Sequence, residues 1–272
     1  MKKITLHLFV ILACIAGFTS CLEGGGNRET NGVVGILDIG NSTYVIKTLG
    51  GDIYAPELAT YVGSGKMNLG SGYYISYEID WDLPENSQSM IAASGYYTVS
   101  ILAYYEAEKY SMDYYLTDTS TVQTNEMVVS AALLSYENGG INDITNNFVF
   151  MTHHVKCPQD MKLTWNLSYD YDKGMTPTEE GGKRYYDLFL RATKLNDSEK
   201  ADTDAVFFNS YYVGDYVRNV ANREKELLGS NYGQNSTFTL RIHYVSEIKD
   251  DKLVWKHQEL AYWISPFVSS QN

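Results

Sequence analysis

Thr237-Phe238-Thr239-Leu240-Arg241-Ile242-His243-Tyr244-Val245-Ser246-Glu247-Ile248, then Asp250-Asp251, then Leu253-Val254-Trp255-Lys256-His257-Gln258-Glu259-Leu260-Ala261-Tyr262-Trp263-Ile264, is the stretch that decides the fold. Side chains of a strand point alternately to two faces, so alternating apolar and polar residues mark a half-buried strand. Phe238, Leu240, Ile242 and Tyr244 share one face of the first run, and Thr239, Arg241 and His243 share the other. The aspartate pair is a turn signal, and the second run returns as the partner strand. The stretch is an antiparallel hairpin.

Upstream, Tyr212, Val213, Tyr216, Val217, Val220 and Leu227 recur at three- and four-residue spacing. That is one face of a helix over about 210–228, with Asn209 or Ser210 as its cap and Gly229 at its end. Met127–Ser135, Asn147–His154, Lys162–Tyr171 and Arg184–Leu195 read as strands, with a turn at Asn138-Gly139-Gly140 and a loop over Met175–Lys183. Residues 127–270 are thus expected to form a β-sandwich with one helix. Residues 109–126, poor in aliphatics and rich in Asp, Thr and Ser, read as a linker. Before them, Val33–Ile39, Thr43–Thr48, Asp52–Ala55, Tyr73–Trp81 and Gly95–Glu106 are short strands separated by glycine turns. Such a run without a helix suits a small antiparallel barrel of the OB type at 32–108. The fold class expected is mainly β: a small OB-like antiparallel barrel followed by a β-sandwich carrying one amphipathic helix.

The N-terminal stretch has a different grammar. Met1-Lys2-Lys3 is a positive start, Ile4 to Gly17 is an apolar run, and Phe18-Thr19-Ser20-Cys21 puts small residues before a cysteine. This reads as a lipoprotein signal peptide over residues 1–20, with Cys21 acylated as the mature N-terminus. A membrane span needs roughly 20 apolar residues, more than this run supplies. Leu22 to Asn31, with three glycines in a row, reads with Cys21 as a flexible tether over 21–31. The expected location is the cell envelope, lipid-anchored at the outer membrane, with the facing side left open.

The formal charge of −12 repels phosphate backbones and argues against nucleic acid as a partner. Membrane attachment therefore has to come through the N-terminal lipid. Of three cysteines, Cys14 leaves with the signal and Cys21 takes the lipid, so Cys157 stands alone as an apolar filler and no internal disulfide forms. Tyrosines number 24, against 9 phenylalanines and 4 tryptophans, and many are paired. A pair in a strand puts one ring inward and one outward. Two readings stay open: β-propensity in half-exposed sheets, or a binding surface for glycan or protein, with Tyr73, Tyr74, Tyr96, Tyr97, Tyr185 and Tyr186 as its candidates.

Chemical motifs are few. His153-His154 are adjacent on a strand and face opposite ways, so they cannot chelate one metal together. Asp170-Tyr171-Asp172-Lys173-Gly174 begins like a calcium loop, but Gly174 and Gly181 stand where acidic ligands are required. Val62-Gly63-Ser64-Gly65-Lys66-Met67 resembles the tail of a phosphate loop, yet Thr60 replaces its first glycine and Met67 its magnesium-binding hydroxyl. Asp80, Asp82, Asp170 and Asp172 remain candidates for a carboxylate pair, whose spacing is spatial. No metal or cofactor is expected.

In layout the chain resembles the NigD-like lipoproteins of Bacteroidota. The residues that carry the resemblance are Ser20-Cys21-Leu22-Glu23, Gly51-Asp52-Ile53-Tyr54-Ala55-Pro56-Glu57, the helix from Ser210 to Leu228, and Leu240-Arg241-Ile242-His243-Tyr244-Val245. The resemblance implies an N-terminal OB-like domain, a C-terminal β-sandwich and no catalytic residues, with bacteriocin immunity as one form of function. The function expected is a non-catalytic binding or accessory role at the envelope, for a protein, peptide or glycan ligand. The alternatives are a surface hydrolase acting on glycan or peptide and a structural subunit of an outer-membrane complex. A deep cleft with two facing carboxylates favours the hydrolase, and a shallow aromatic face favours binding.

Overall fold

The computed structural model describes residues 27–113, 115, 119–134, 144–145, 147–171, 173 and 175–268. The signal peptide, Cys21, most of the expected tether, Asp172, Gly174 and the turn at Asn138-Gly139-Gly140 lie outside the described residues. The chain divides into two units, Met1–Glu106 and Ala107–Asn272.

The first unit contains β1 (Arg28–Gly40), β2 (Thr43–Lys47), β3 (Asp52–Tyr54), β4 (Gly72–Asp80), β5 (Tyr96–Thr98) and β6 (Ser100–Glu106), in one sheet ordered β5-β3-β2-β1-β4-β6. β1 starts at Arg28, so Arg28–Asn31, expected in the tether, is strand. Its partner explains why: Arg28 pairs with Asp80 in register and donates from Nε to that carboxylate at 3.0 Å. β1 is shared. Arg28–Ile36 pairs with β4, and Ile36–Gly40 pairs with β2. At the changeover a Cβ on Gly35 would lie 2.5 Å from Ile46 Cγ2 and 2.6 Å from the Lys47 carbonyl oxygen, so only glycine fits. The following turn is Asn41-Ser42, both with positive φ, one residue later than expected and suited to a two-residue hairpin. Leu37, Ile46, Ile53, Tyr73 and Ile75 fill the core. Two helices that hydrophobic periodicity does not foresee, Leu58–Gly63 and Gln88–Ser94, are too short to show a period.

The second unit is a sandwich of two sheets around one core. Its strands are β7 (Glu108–Ser111), β8 (Glu126–Met127), β9 (Val129–Leu134), β10 (Ile144–Thr145), β11 (Phe148–Pro158), β12 (Leu163–Ser168), β13 (Thr178–Glu180), β14 (Lys183–Lys194), β15 (Asp202–Tyr212), β16 (Thr237–Lys249) and β17 (Lys252–Trp263). One sheet runs β10-β11-β15-β7, with β9 also on β11; the other runs β12-β14-β16-β17, with β13 and β8 also on β14. The hairpin of β16 and β17 is as expected, turning at Asp250-Asp251 with both residues at positive φ.

Other expectations are corrected. The linker range contains β7, which pairs in parallel with β15, and ends in β8. The loop over 175–183 contains β13. β15 shows no sequence break before the helix, so the helix begins at Gly214 rather than near Ser210, with Val213 at its cap position and no side-chain cap. Pairing with β11 from Phe148↔Tyr212 to Pro158↔Asp202 holds Asn209–Tyr212 extended, overriding their helical spacing. The helix Gly214–Leu228 buries Tyr216, Val217, Val220, Ala221 and Glu224 and leaves Leu227 exposed. Gly229, at φ 51°, ends it.

Candidate functional site

The alternation that buries Tyr186, Leu188, Leu240 and Ile242 turns Asp187, Phe189, Arg241 and His243 to the opposite face of the second sheet. Parallel pairing of β14 with β16 sets Asp187 beside Arg241 and Phe189 beside His243. Arg241 Nε donates to Asp187 Oδ1 at 2.6 Å, and its Nη1 donates to Glu180 Oε2 at 2.6 Å. His243 Nε2 lies 2.6 Å from Asp187 Oδ1, and Thr178 Oγ1 donates to Oδ2 at 2.5 Å. Burial by itself pushes the Asp187 carboxyl up. The bonds from His243, Arg241 and Thr178 outweigh it and hold the group well below the usual carboxylate range. An ionised carboxylate only accepts, so Nε2 of His243 carries a hydrogen. Asp187 acts as a half-buried anion that fixes a guanidinium and an imidazole in place.

On the core side, Tyr186 Oη donates to Glu224 Oε2 at 2.8 Å, and Arg184 Nε donates to Glu224 Oε1 at 2.8 Å. Burial, and then the Glu224 bond, push the Tyr186 phenol far up. Between these two clusters opens a cleft of about 40 Å³, lined by Asp170, Lys173, Thr178, Tyr186, Asp187 and Tyr216. It has room for a few waters at most.

Beside the cleft the face is aromatic. The His243 ring stacks on Phe189 at 4.7 Å and 11°, and Trp255 meets Phe189 edge-on at 5.5 Å. His257, directly opposite His243 across β16 and β17, approaches it edge-on at 5.5 Å and is exposed. This patch can stack on a flat group and hydrogen-bond to it. It offers no nucleophile beside a free base.

The expected tyrosine surface divides differently. Tyr73 is fully buried; its hydroxyl accepts from Asn68 N at 2.7 Å, and burial pushes its phenol up to about 12. Tyr185 and Tyr186 are both buried, against the rule of one ring in and one out, because the Arg241 guanidinium lies 4.5 Å over Tyr185. Tyr74, Tyr96 and Tyr97 are half-buried and meet other rings, Tyr105, Tyr54 and Trp81 respectively. Three of the six are thus buried and three half-buried. Asp80 and Asp82 hold a turn through bonds from Arg28, Asn27 and the Asp82 amide. Asp170 does the same with Lys173 N at 3.3 Å. His153 faces the core, stacked on Trp165 at 4.2 Å, while His154 points to the other side of the strand. Cys157 is buried, and burial, then Asp202, push its thiol up, which suits a filler.

Asp187, Arg241 and His243 stand in no recognisable motif. Their one sequence signal is that Arg241 and His243 occupy the outward positions of the alternating run that opened the reading.

Residues 25–105 match the family model described as a lipoprotein OB domain. The first unit is an OB domain. It is followed here by a β-sandwich, the layout that the resemblance to NigD-like lipoproteins implies. Among solved structures, an uncharacterized protein of Parabacteroides merdae is similar at 20% identity and TM-score 0.69, over 86% of this chain and 99% of that one. A protein of unknown function from Bacteroides vulgatus is similar at 12% identity and TM-score 0.51, over 90% and 96%. A NigD-like immunity protein of Bacteroides caccae aligns at 10% identity and TM-score 0.47, over 86% and 97%. The first two likenesses speak to the fold alone. No curated protein matches the chain.

Proposed function

We propose that the protein is a non-catalytic binding protein of the cell envelope, held to a membrane by acylated Cys21 and recognising a protein, peptide or glycan on the outer face of its sandwich. The observation that carries the reading is the shallow aromatic patch of Phe189, His243, Trp255 and His257, fixed from below by Asp187. Aromatic faces give contact area at low entropic cost and suit both sugar rings and peptide side chains. That the Asp187 carboxylate is taken up by Arg241, His243 and Thr178 favours binding over hydrolysis. The lipoprotein OB match supports the anchor. Multiple acyl chains on one cysteine make such anchoring stable.

The test immobilises the purified protein and its Phe189→Ala and Trp255→Ala variants and passes envelope extract over each. A ligand held by the wild type and lost from both variants, with thermal unfolding unchanged, supports the reading. Retention of nothing, or equal retention by all three, overturns it. Separately, Cys21→Ser is expected to move the protein from the membrane fraction to the soluble one.

A further inference from the structure

We propose that the open edge of β17 joins a second copy of this chain, β17 to β17 in antiparallel register about a two-fold axis at Leu260. This goes beyond the ligand reading and does not depend on it.

The main-chain directions follow from one bond. Ile264 N donates to the Ser236 carbonyl at 2.9 Å, in register with Thr237↔Trp263. Bonded and non-bonded pairs alternate along an antiparallel ladder. Even-numbered residues from Lys256 to Ile264 therefore bond towards β16. His257, Glu259, Ala261 and Trp263 turn their N–H and C=O groups away from it. All four are exposed, and among the described residues β17 pairs with β16 and otherwise only through the Thr121↔Lys252 bridge. That bridge, with the bond from Trp255 Nε1 to the Thr119 carbonyl at 3.0 Å, covers the start of β17 and leaves 257–263 open. Natural edges are blunted by proline, bulges or repeated charge. The open stretch has no proline, its bulge lies away at Val245/Glu247, and Glu259 is its one acidic or lysine residue.

The register selects the occupant. Self-pairing centred on Leu260 uses all four outward residues and none of the covered ones. It sets His257 opposite Trp263 of the second copy, Glu259 opposite Ala261, and Leu260 opposite itself. Directly opposite pairs carry no like charges, although the chain as a whole carries −12, and the two Glu259 side chains meet only on the diagonal, about 7–8 Å apart. Trp263, 40% exposed, gains an imidazole to stack on. The two six-stranded sheets become one.

The test uses the full chain carrying Cys21→Ser. Sedimentation velocity is expected to show a dimer at micromolar concentrations. Ala261→Pro removes an outward N–H that no bond of the fold uses, and is expected to weaken dimerisation at least tenfold with an unchanged circular dichroism spectrum. Should that variant misfold, Leu260→Cys gives a second reading. The central pair is a non-bonded one with Cα atoms about 4.5 Å apart, within disulfide reach, so mild oxidation should cross-link it, while Gln258→Cys, facing Tyr262, should not. A monomer at every concentration, a dimer indifferent to Ala261→Pro and not cross-linked through residue 260, or a monomer whose edge captures a foreign extended peptide would each overturn the proposal.

Discussion

His153 should make the sandwich sensitive to mild acid. It is fully buried between Trp165, stacked at 4.2 Å, and the Tyr211 hydroxyl at 2.9 Å. Asn209 Nδ2 donates to that hydroxyl at 3.2 Å, and Nδ1 of the ring has no hydrogen-bond partner among the described residues, so nothing compensates a positive charge there. Burial, and secondarily His154, lower its pKa from 6.5 to about 3. Between those values the unfolded chain holds a proton that the fold excludes. The contribution is therefore fully present above pH 6.5 and lost as pH falls towards 3. At about 1.4 kcal/mol per pH unit, the fold loses about 2 kcal/mol between pH 6.5 and 5, and about 4 kcal/mol by pH 3. That is a large share of a typical stability of roughly 5–15 kcal/mol. His153→Phe keeps the stack on Trp165 and cannot titrate. Urea unfolding at pH 7 and pH 5 should show the wild type losing about 2 kcal/mol more than the variant, since carboxylate effects common to both cancel. Equal losses in the two proteins, or a His153 ring signal in NMR that titrates near pH 6.5, would refute the reasoning.

Three further outcomes follow from packing and charge. Arg191 and Glu126 form an ion pair with side chains 2% and 0% exposed, so Arg191→Leu alone should cost about 3–5 kcal/mol in denaturant unfolding, while replacing both with apolar residues should recover much of it. Gly35→Ala, which drives a methyl group into Ile46 and the Lys47 carbonyl, should destabilise the OB domain by about 1–3 kcal/mol, read as earlier protease cleavage within residues 27–106. Asp187→Asn should remove about 1–3 kcal/mol at neutral pH. Because the native carboxyl sits below its ordinary 3.8, that difference should fade only as pH falls below about 4 in matched unfolding curves.

Much of the architecture is legible where pattern and partner agree. β16 and β17 are legible because Phe238, Leu240, Ile242 and Tyr244 alternate towards the core along the first strand, and the turn between the strands suits left-handed aspartates. The β15 strand was hidden because Phe207, Phe208, Tyr211 and Tyr212 run straight into helical spacing, and only pairing with β11 separates the two periods. Arg28–Asn31 looks like tether because its residues are polar; its strand character comes from β4. The site is harder still. Asp187 and Arg241 are 54 residues apart and meet through a parallel pairing that no local signal announces. The tyrosines mislead for the opposite reason. Doublets promise one exposed ring each, but Arg241 covers Tyr185 and neighbouring rings cover the others.

The shared strand β1 also has a mechanical meaning. β1 and β6 both run antiparallel to β4, so they point the same way, with Arg28 opposite Asp80 at one end of β4 and Glu106 opposite Tyr73 at the other. A pull on the chain ahead of Arg28 against the unit that follows Glu106 loads these strands in shear. The ladder bonds then resist together rather than unzipping in turn, and the OB domain becomes a stiff coupling able to carry tension along the chain.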